Sequence, residues 1–181
     1  MKVLLLDGLK RDTKSSVPFY LAQRYETKVV NVVTPDMEML CQKYDTWSNI
    51  PRKEISSAMN IMMERVSDEI SKINPDVIVG LGYGACILSN LVVDFYWEGP
   101  SVFVDPEGYF YSSQVDEGDD KTYFGKSVWI FRKSDRTANK KIIEKLDHYK
   151  NGMCLLTPDK KGVESIIDTG ILGPVINSMS D

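Results

Sequence analysis

The chain contains one histidine, His148, in 181 residues. That scarcity excludes histidine-rich metal centres and leaves one imidazole for any general-base role. Cysteine is nearly as sparse. Cys41, Cys86 and Cys154 share no metal-ligand or redox spacing, and an odd count fits free thiols in a reducing compartment. No apolar run approaches the ~20 residues that span a bilayer, so no membrane partner is expected. The first apolar run, Val3–Leu6, is too short for a signal peptide and reads as a buried strand, with the cytoplasm as the expected compartment. An excess of basic residues is missing as well. Lys and Arg number 22 against 26 Asp and Glu, and this net charge of -4 argues against a nucleic-acid partner.

What is present suits a folded domain. A hydrophobic share of 43% over this length is enough to bury a full core, and a single domain over 1–181 is expected. Short apolar runs alternate with amphipathic segments. Strands are predicted at Val3–Leu6, Lys28–Val32, Val77–Val79, Ser101–Val104, Val128–Phe131 and Met153–Leu156. Several are apolar at consecutive positions, as strands covered on both faces of a parallel sheet are. Helices are predicted near Ser16–Arg24, Lys53–Ile73, Ala85–Phe95, Asn139–Lys150 and Val163–Asp168. In the longest, Ile55, Ala58, Met59, Met62, Val66, Ile70 and Ile73 form one stripe, which makes the Met59, Met62, Met63 cluster core packing rather than a pliable binding surface. Asn74-Pro75 stops that helix. Such alternation predicts an α/β fold, a three-layer sandwich around a mostly parallel sheet of about six strands. Two segments read as irregular: Thr34–Arg52, and 105–126, rich in aromatic and acidic residues. Both would emerge at the carboxyl edge of the sheet, where open α/β sheets bind ligands.

The chemistry-bearing stretch is Val77-Ile78-Val79-Gly80-Leu81-Gly82-Tyr83-Gly84-Ala85. A strand enters a glycine-rich turn and a helix leaves it. The turn has the spacing of a nucleophile elbow, Gly-x-Ser-x-Gly, with Gly82 where the serine belongs. Gly80 and Gly84 supply the small flanking positions, and Gly82 can hold the strained conformation without a side chain's penalty. A nucleotide loop is a rival, although the third glycine comes one residue early for the dinucleotide fingerprint. A plain glycine turn with no ligand is the other. Gly125-Lys126-Ser127 is no P-loop end, because Asp120 stands where its first glycine belongs.

The order of elements resembles the compact, lidless, esterase-like group of bacterial α/β-hydrolases, over nearly the full chain. That resemblance implies a site at Gly82 with a His-Gly oxyanion loop after the first strand, an acid turn and a base-histidine turn. Here the first appears as Asp7-Gly8-Leu9, the nucleophile position as Gly82 and the second oxyanion donor as the Tyr83 backbone N–H. The acid position matches Asp135. No histidine stands in Thr157–Gly162 to serve as base, and His148 lies in the last turn of a predicted helix, away from this edge.

A serine hydrolase needs a nucleophile, a base and an oxyanion hole. The first two are absent, and the Asp7 carboxylate would repel a developing oxyanion. The expectation is therefore a pseudo-hydrolase that binds a protein partner or small ligand at the carboxyl edge, through Asp7, Gly8, Leu9, Tyr83, Asp105 and Tyr109. No cofactor and no metal are expected. Two alternatives stay open: an esterase or thioesterase with a non-standard site, such as carboxylates at Asp7, Asp105 and Asp135, and a structural subunit of a larger, self-associating assembly.

Overall fold

The computed structural model describes residues 1–9, 15–44, 50–94, 96–106, 126–132, 152–157 and 163–179. Its strands are β1 (Lys2–Gly8), β2 (Glu26–Asn31), β3 (Val77–Gly82), β4 (Ser101–Val104), β5 (Ser127–Arg132) and β6 (Gly152–Thr157). All neighbours pair in parallel, in the order β2-β1-β3-β4-β5-β6. The helices are α1 (Val17–Ala22), α2 (Pro35–Tyr44), α3 (Arg52–Ile73), α4 (Tyr83–Val93), α5 (Ser165–Asp168) and α6 (Leu172–Met179). The chain is thus an α/β protein built on a parallel sheet.

Strand alternation sorts the core into two layers. On one face Leu4, Leu6, Ile78, Phe103, Trp129 and Phe131 pack against α2, α3 and α4. On the other, Val3, Leu5, Val77, Val79, Leu81, Val102 and Ile130 pack against α1, α5 and α6. Each central strand buries both sets of side chains, which is why the strands read as unbroken apolar runs. Phe103 and Trp129 stack across β4 and β5 with ring centroids 3.8 Å apart and planes 11° apart. Such a pair contributes about 0.5–1.5 kcal/mol beyond the area it buries. Met59 and Met62 are buried, as the stripe on α3 predicts, and so is Met63 beside it. Asn74 ends α3 in the left-handed conformation, with φ 48° and its N–H donated to the Ile70 carbonyl at 2.8 Å.

Several boundaries differ from the sequence reading. The strand expected at Lys28–Val32 begins at Glu26, because the Glu26 N–H donates to the Met1 carbonyl at 3.2 Å and starts the ladder early. The Thr34–Arg52 segment is not irregular throughout, since it contains α2. Thr34 caps that helix, its Oγ1 accepting from the Met37 N–H at 3.3 Å, and Pro35 takes the first helical position, where a missing N–H costs nothing. The helix expected from Ala85 starts at Tyr83, immediately after Gly82. At the end of the chain, α6 is a helix that the sequence pattern does not announce. Pro174 obscures it, yet proline is tolerated in a first turn, and Leu172, Val175, Ile176 and Met179 form its buried stripe. The helix predicted at Asn139–Lys150, with His148, lies outside the described residues, as do Asp135, Tyr109 and nearly all of 105–126.

Candidate functional site

The strand order reverses direction between β1 and β3. From β1 the chain steps through α1 to β2 on one side; from β3 it steps through α4 to β4 on the other. The two connecting helices lie on opposite faces of the sheet. Such a switch point leaves a crevice at the carboxyl ends of the two strands, and ligands of open α/β sheets bind there. Gly8 and Gly82 are register partners at those ends.

Three glycines bring α4 against the strands. A Cβ on Gly80 would stand 2.6 Å from Ala85 Cα, one on Gly8 would meet the Gly84 nitrogen, and one on Gly84 would meet the Leu6 carbonyl. All of these neighbours are backbone, which cannot swing aside as a side chain can. Gly82 differs from these three. It has φ 53° and ψ -117°, a conformation that side-chain-bearing residues rarely adopt, at the sharp junction of β3 and α4. Space is not its constraint: an added Cβ would meet Gly8 O at 3.4 Å and Leu9 Cδ2 at 3.5 Å, which are ordinary contacts. Conformation therefore selects glycine at 82, whereas packing selects it at 8, 80 and 84.

Among the described residues, the groups nearest a Cβ added at that apex are an acceptor and a hydrocarbon. Gly8 presents its carbonyl oxygen and Leu9 a methyl group. The half-buried Asp7 precedes them, its Oδ1 accepting from the Leu9 N–H at 3.1 Å. Burial raises the Asp7 carboxyl above its ordinary range, and the Leu9 N–H opposes this only in part. An oxyanion hole requires donors where charge develops. The end of β1 instead offers the Gly8 carbonyl, with the Asp7 carboxylate on the preceding residue.

Behind the apex, α4 is buried along Tyr83–Val92, and no side chain caps its N-terminus. Its first N–H groups point toward the carboxyl edge, as every α-helix N-terminus directs them. The Tyr83 side chain is buried in the core beneath, so only its backbone belongs to the crevice. Cys86, one turn into α4, is buried with Sγ 3.7 Å from the Gly82 carbonyl, a packed thiol rather than a presented nucleophile. Asp105 follows the Leu81–Val104 pair, placing it at the level of Gly82 on the adjoining strand. It is half-buried and held at φ 47°, a left-handed conformation that Asp tolerates better than most residues, with its N–H donated to the Ile130 carbonyl at 2.8 Å.

The structure therefore assembles Asp7, Gly8, Leu9, Gly82 and Tyr83 around one crevice, with Asp105 beside it. A contact the sequence does not announce ties the far end of the chain to this side. Glu164 accepts from the Ser16 N–H at 2.9 Å and from the Ser16 hydroxyl, joining the chain after β6 to the start of α1. Desolvation lifts the Glu164 carboxyl, but the Ser16 and Ser15 hydroxyls outweigh it and hold the group below the usual range. Nothing local in either stretch signals a pairing of residues 148 positions apart. Among the described residues no cluster of His, Cys, Asp and Glu could hold a metal ion, and no helix is long and apolar enough to cross a membrane. Compared with protein-family models, curated proteins and solved structures, the chain matches none.

Proposed function

We propose that this chain is a non-catalytic α/β-hydrolase-like protein that binds a small ligand or a protein partner at the carboxyl edge of its sheet. One observation carries the reading. Gly82, at φ 53° and ψ -117°, keeps the strained strand-to-helix turn of a nucleophile elbow while supplying no nucleophile. The sheet order and the position of the turn after β3 support the hydrolase-like reading of the fold. The Gly8 carbonyl, 3.4 Å from where a Cβ on residue 82 would stand, supports the loss of catalysis, since an acceptor there opposes the negative charge of an acyl-transfer transition state.

Without an Oγ at position 82 no acyl-enzyme forms there, and the only histidine of the chain belongs to no turn that the family pattern uses. What remains is the switch point between β1 and β3, where open α/β sheets bind ligands. Short acyl nitrophenyl esters give the direct enzymatic test. No turnover above a heat-killed control is expected, and sustained turnover would overturn the reading. Binding is tested by amide chemical shifts: a ligand or partner seated in the crevice moves the Leu9, Gly82 and Tyr83 resonances first. A binder that shifts other surfaces and leaves these three unmoved contradicts the assignment of the site.

A further inference from the structure

Away from the crevice, α2 and α3 enclose an open groove of about 560 Å³. The end of α2 lies against the start of α3. Lys43 Nζ at the end of α2 lies 3.6 Å from Glu54 Oε1 near the start of α3, and the Tyr44 hydroxyl donates to the same oxygen at 2.8 Å. The α2 wall is Asp36, Met39, Leu40 and Lys43, one stripe at i, i+3, i+4 and i+7. On the α3 wall, Ala58 and Ile61 keep the same helical face. Met39 is 65% exposed and Ile61 66% exposed, although both line a groove whose centre is apolar.

The order of charges along the α2 stripe indicates what covers it. It runs acid, apolar, apolar, base. Rotation by 180° about an axis between Met39 and Leu40 places Asp36 opposite Lys43 and Met39 opposite Leu40, so the stripe complements its own copy. A monomer explains part of this pattern, because an acid at a helix N-terminus and a base at its C-terminus suit the helix dipole. The dipole does not explain why Met39, between those charges, and Ile61, across the groove on α3, are left two-thirds exposed. A foreign helix would fit the groove, but it needs no such internal symmetry.

We propose that the α2–α3 groove is the interface of a two-fold homodimer, with α2 of each copy seated in the groove of the other. Lys43 then lies between Glu54 of its own chain and Asp36 of the second copy. The proposal is independent of the crevice reading, since it uses none of the same residues.

Sedimentation equilibrium of the full chain tests it, with circular dichroism confirming that each variant is folded. The wild type is expected to reach twice the chain mass as concentration rises. Asp36→Lys alone opposes like charges at both ends, as does Lys43→Asp alone, and each is expected to weaken self-association by at least about ten-fold. An equimolar mixture of the two variants restores a dimer, because the charges are then complementary at both ends. A wild type that stays monomeric at millimolar concentration overturns the proposal and leaves the groove to a foreign chain. So does a dimer that neither single variant weakens, or a mixture of weakened variants that fails to recover.

Discussion

Replacing Gly82 with alanine isolates the backbone cost of the β3–α4 turn from any packing cost. The added Cβ would meet Gly8 O at 3.4 Å, Leu9 Cδ2 at 3.5 Å and Gly8 C at 3.7 Å, so nothing must move to admit it. The penalty is then conformational. Holding a side-chain-bearing residue at φ 53° and ψ -117° costs roughly 1–3 kcal/mol. Alanine also restricts the unfolded chain more than glycine does, which offsets about 0.4–1 kcal/mol. The expected net loss is about 1–2 kcal/mol, or a fall of about 2–8 °C in Tm for a chain of this size. Gly80→Ala is the matched control, with the opposite cause. Its Cβ would stand 2.6 Å from Ala85 Cα and 2.7 Å from both Ala85 N and Gly84 O, all backbone. Overpacking of that kind costs about 3 kcal/mol or more when the backbone must shift. Urea unfolding followed by circular dichroism measures both. A Gly82→Ala variant as stable as the wild type, or one that loses more than Gly80→Ala, would refute the assignment of strain to position 82.

Two further outcomes follow from the described side chains. Asp7→Asn keeps the acceptor for the Leu9 N–H and removes a desolvated charge. Because burial raises the folded-state pKa above the ordinary 3.8, ionised Asp7 weakens the fold at neutral pH, and that loss disappears as pH falls below 3.8. The variant should therefore melt higher at pH 7, by no more than about 1 kcal/mol for a half-exposed group, and should match the wild type at pH 3. A lower melting temperature at pH 7 would contradict the sign. Phe103→Ala removes one partner of the buried stack on Trp129 and should cost about 3–5 kcal/mol in urea unfolding. A loss under about 1 kcal/mol would show that the β4–β5 layer is not packed as described.

The fold was legible wherever burial is two-sided. Val77–Leu81 is apolar at every position but Gly80 because both faces of β3 are covered, and consecutive apolar residues announce a parallel strand. The α3 stripe and the Asn74-Pro75 stop are equally local, and both appear where their chemistry places them. The α2 helix carries one local signal, Thr34 before Pro35, but Pro35, Trp47 and Pro51 give Thr34–Arg52 the look of an irregular segment throughout. The α6 helix was missed because Gly173 and Pro174 mask a stripe that only docking on the sheet makes favourable. At the crevice, the spacing of Gly80, Gly82 and Gly84 already marked the turn. Its closure by Leu9 and the Gly8 carbonyl depends on the register of β1 with β3, which no local pattern encodes. The Ser16–Glu164 tie and the α2–α3 groove are tertiary in the same sense.

The most direct measurement places a hydroxyl at the turn. Gly82→Ser places an Oγ at the apex of the turn, and a fluorophosphonate probe followed by intact-mass spectrometry reports whether that oxygen is activated. On the non-catalytic reading proposed above, the predicted result is a folded variant with no adduct, since that reading gives the serine no base and Gly8 turns a carbonyl toward it. A stoichiometric adduct on residue 82 would contradict the account, for it requires a working base and oxyanion site around this turn.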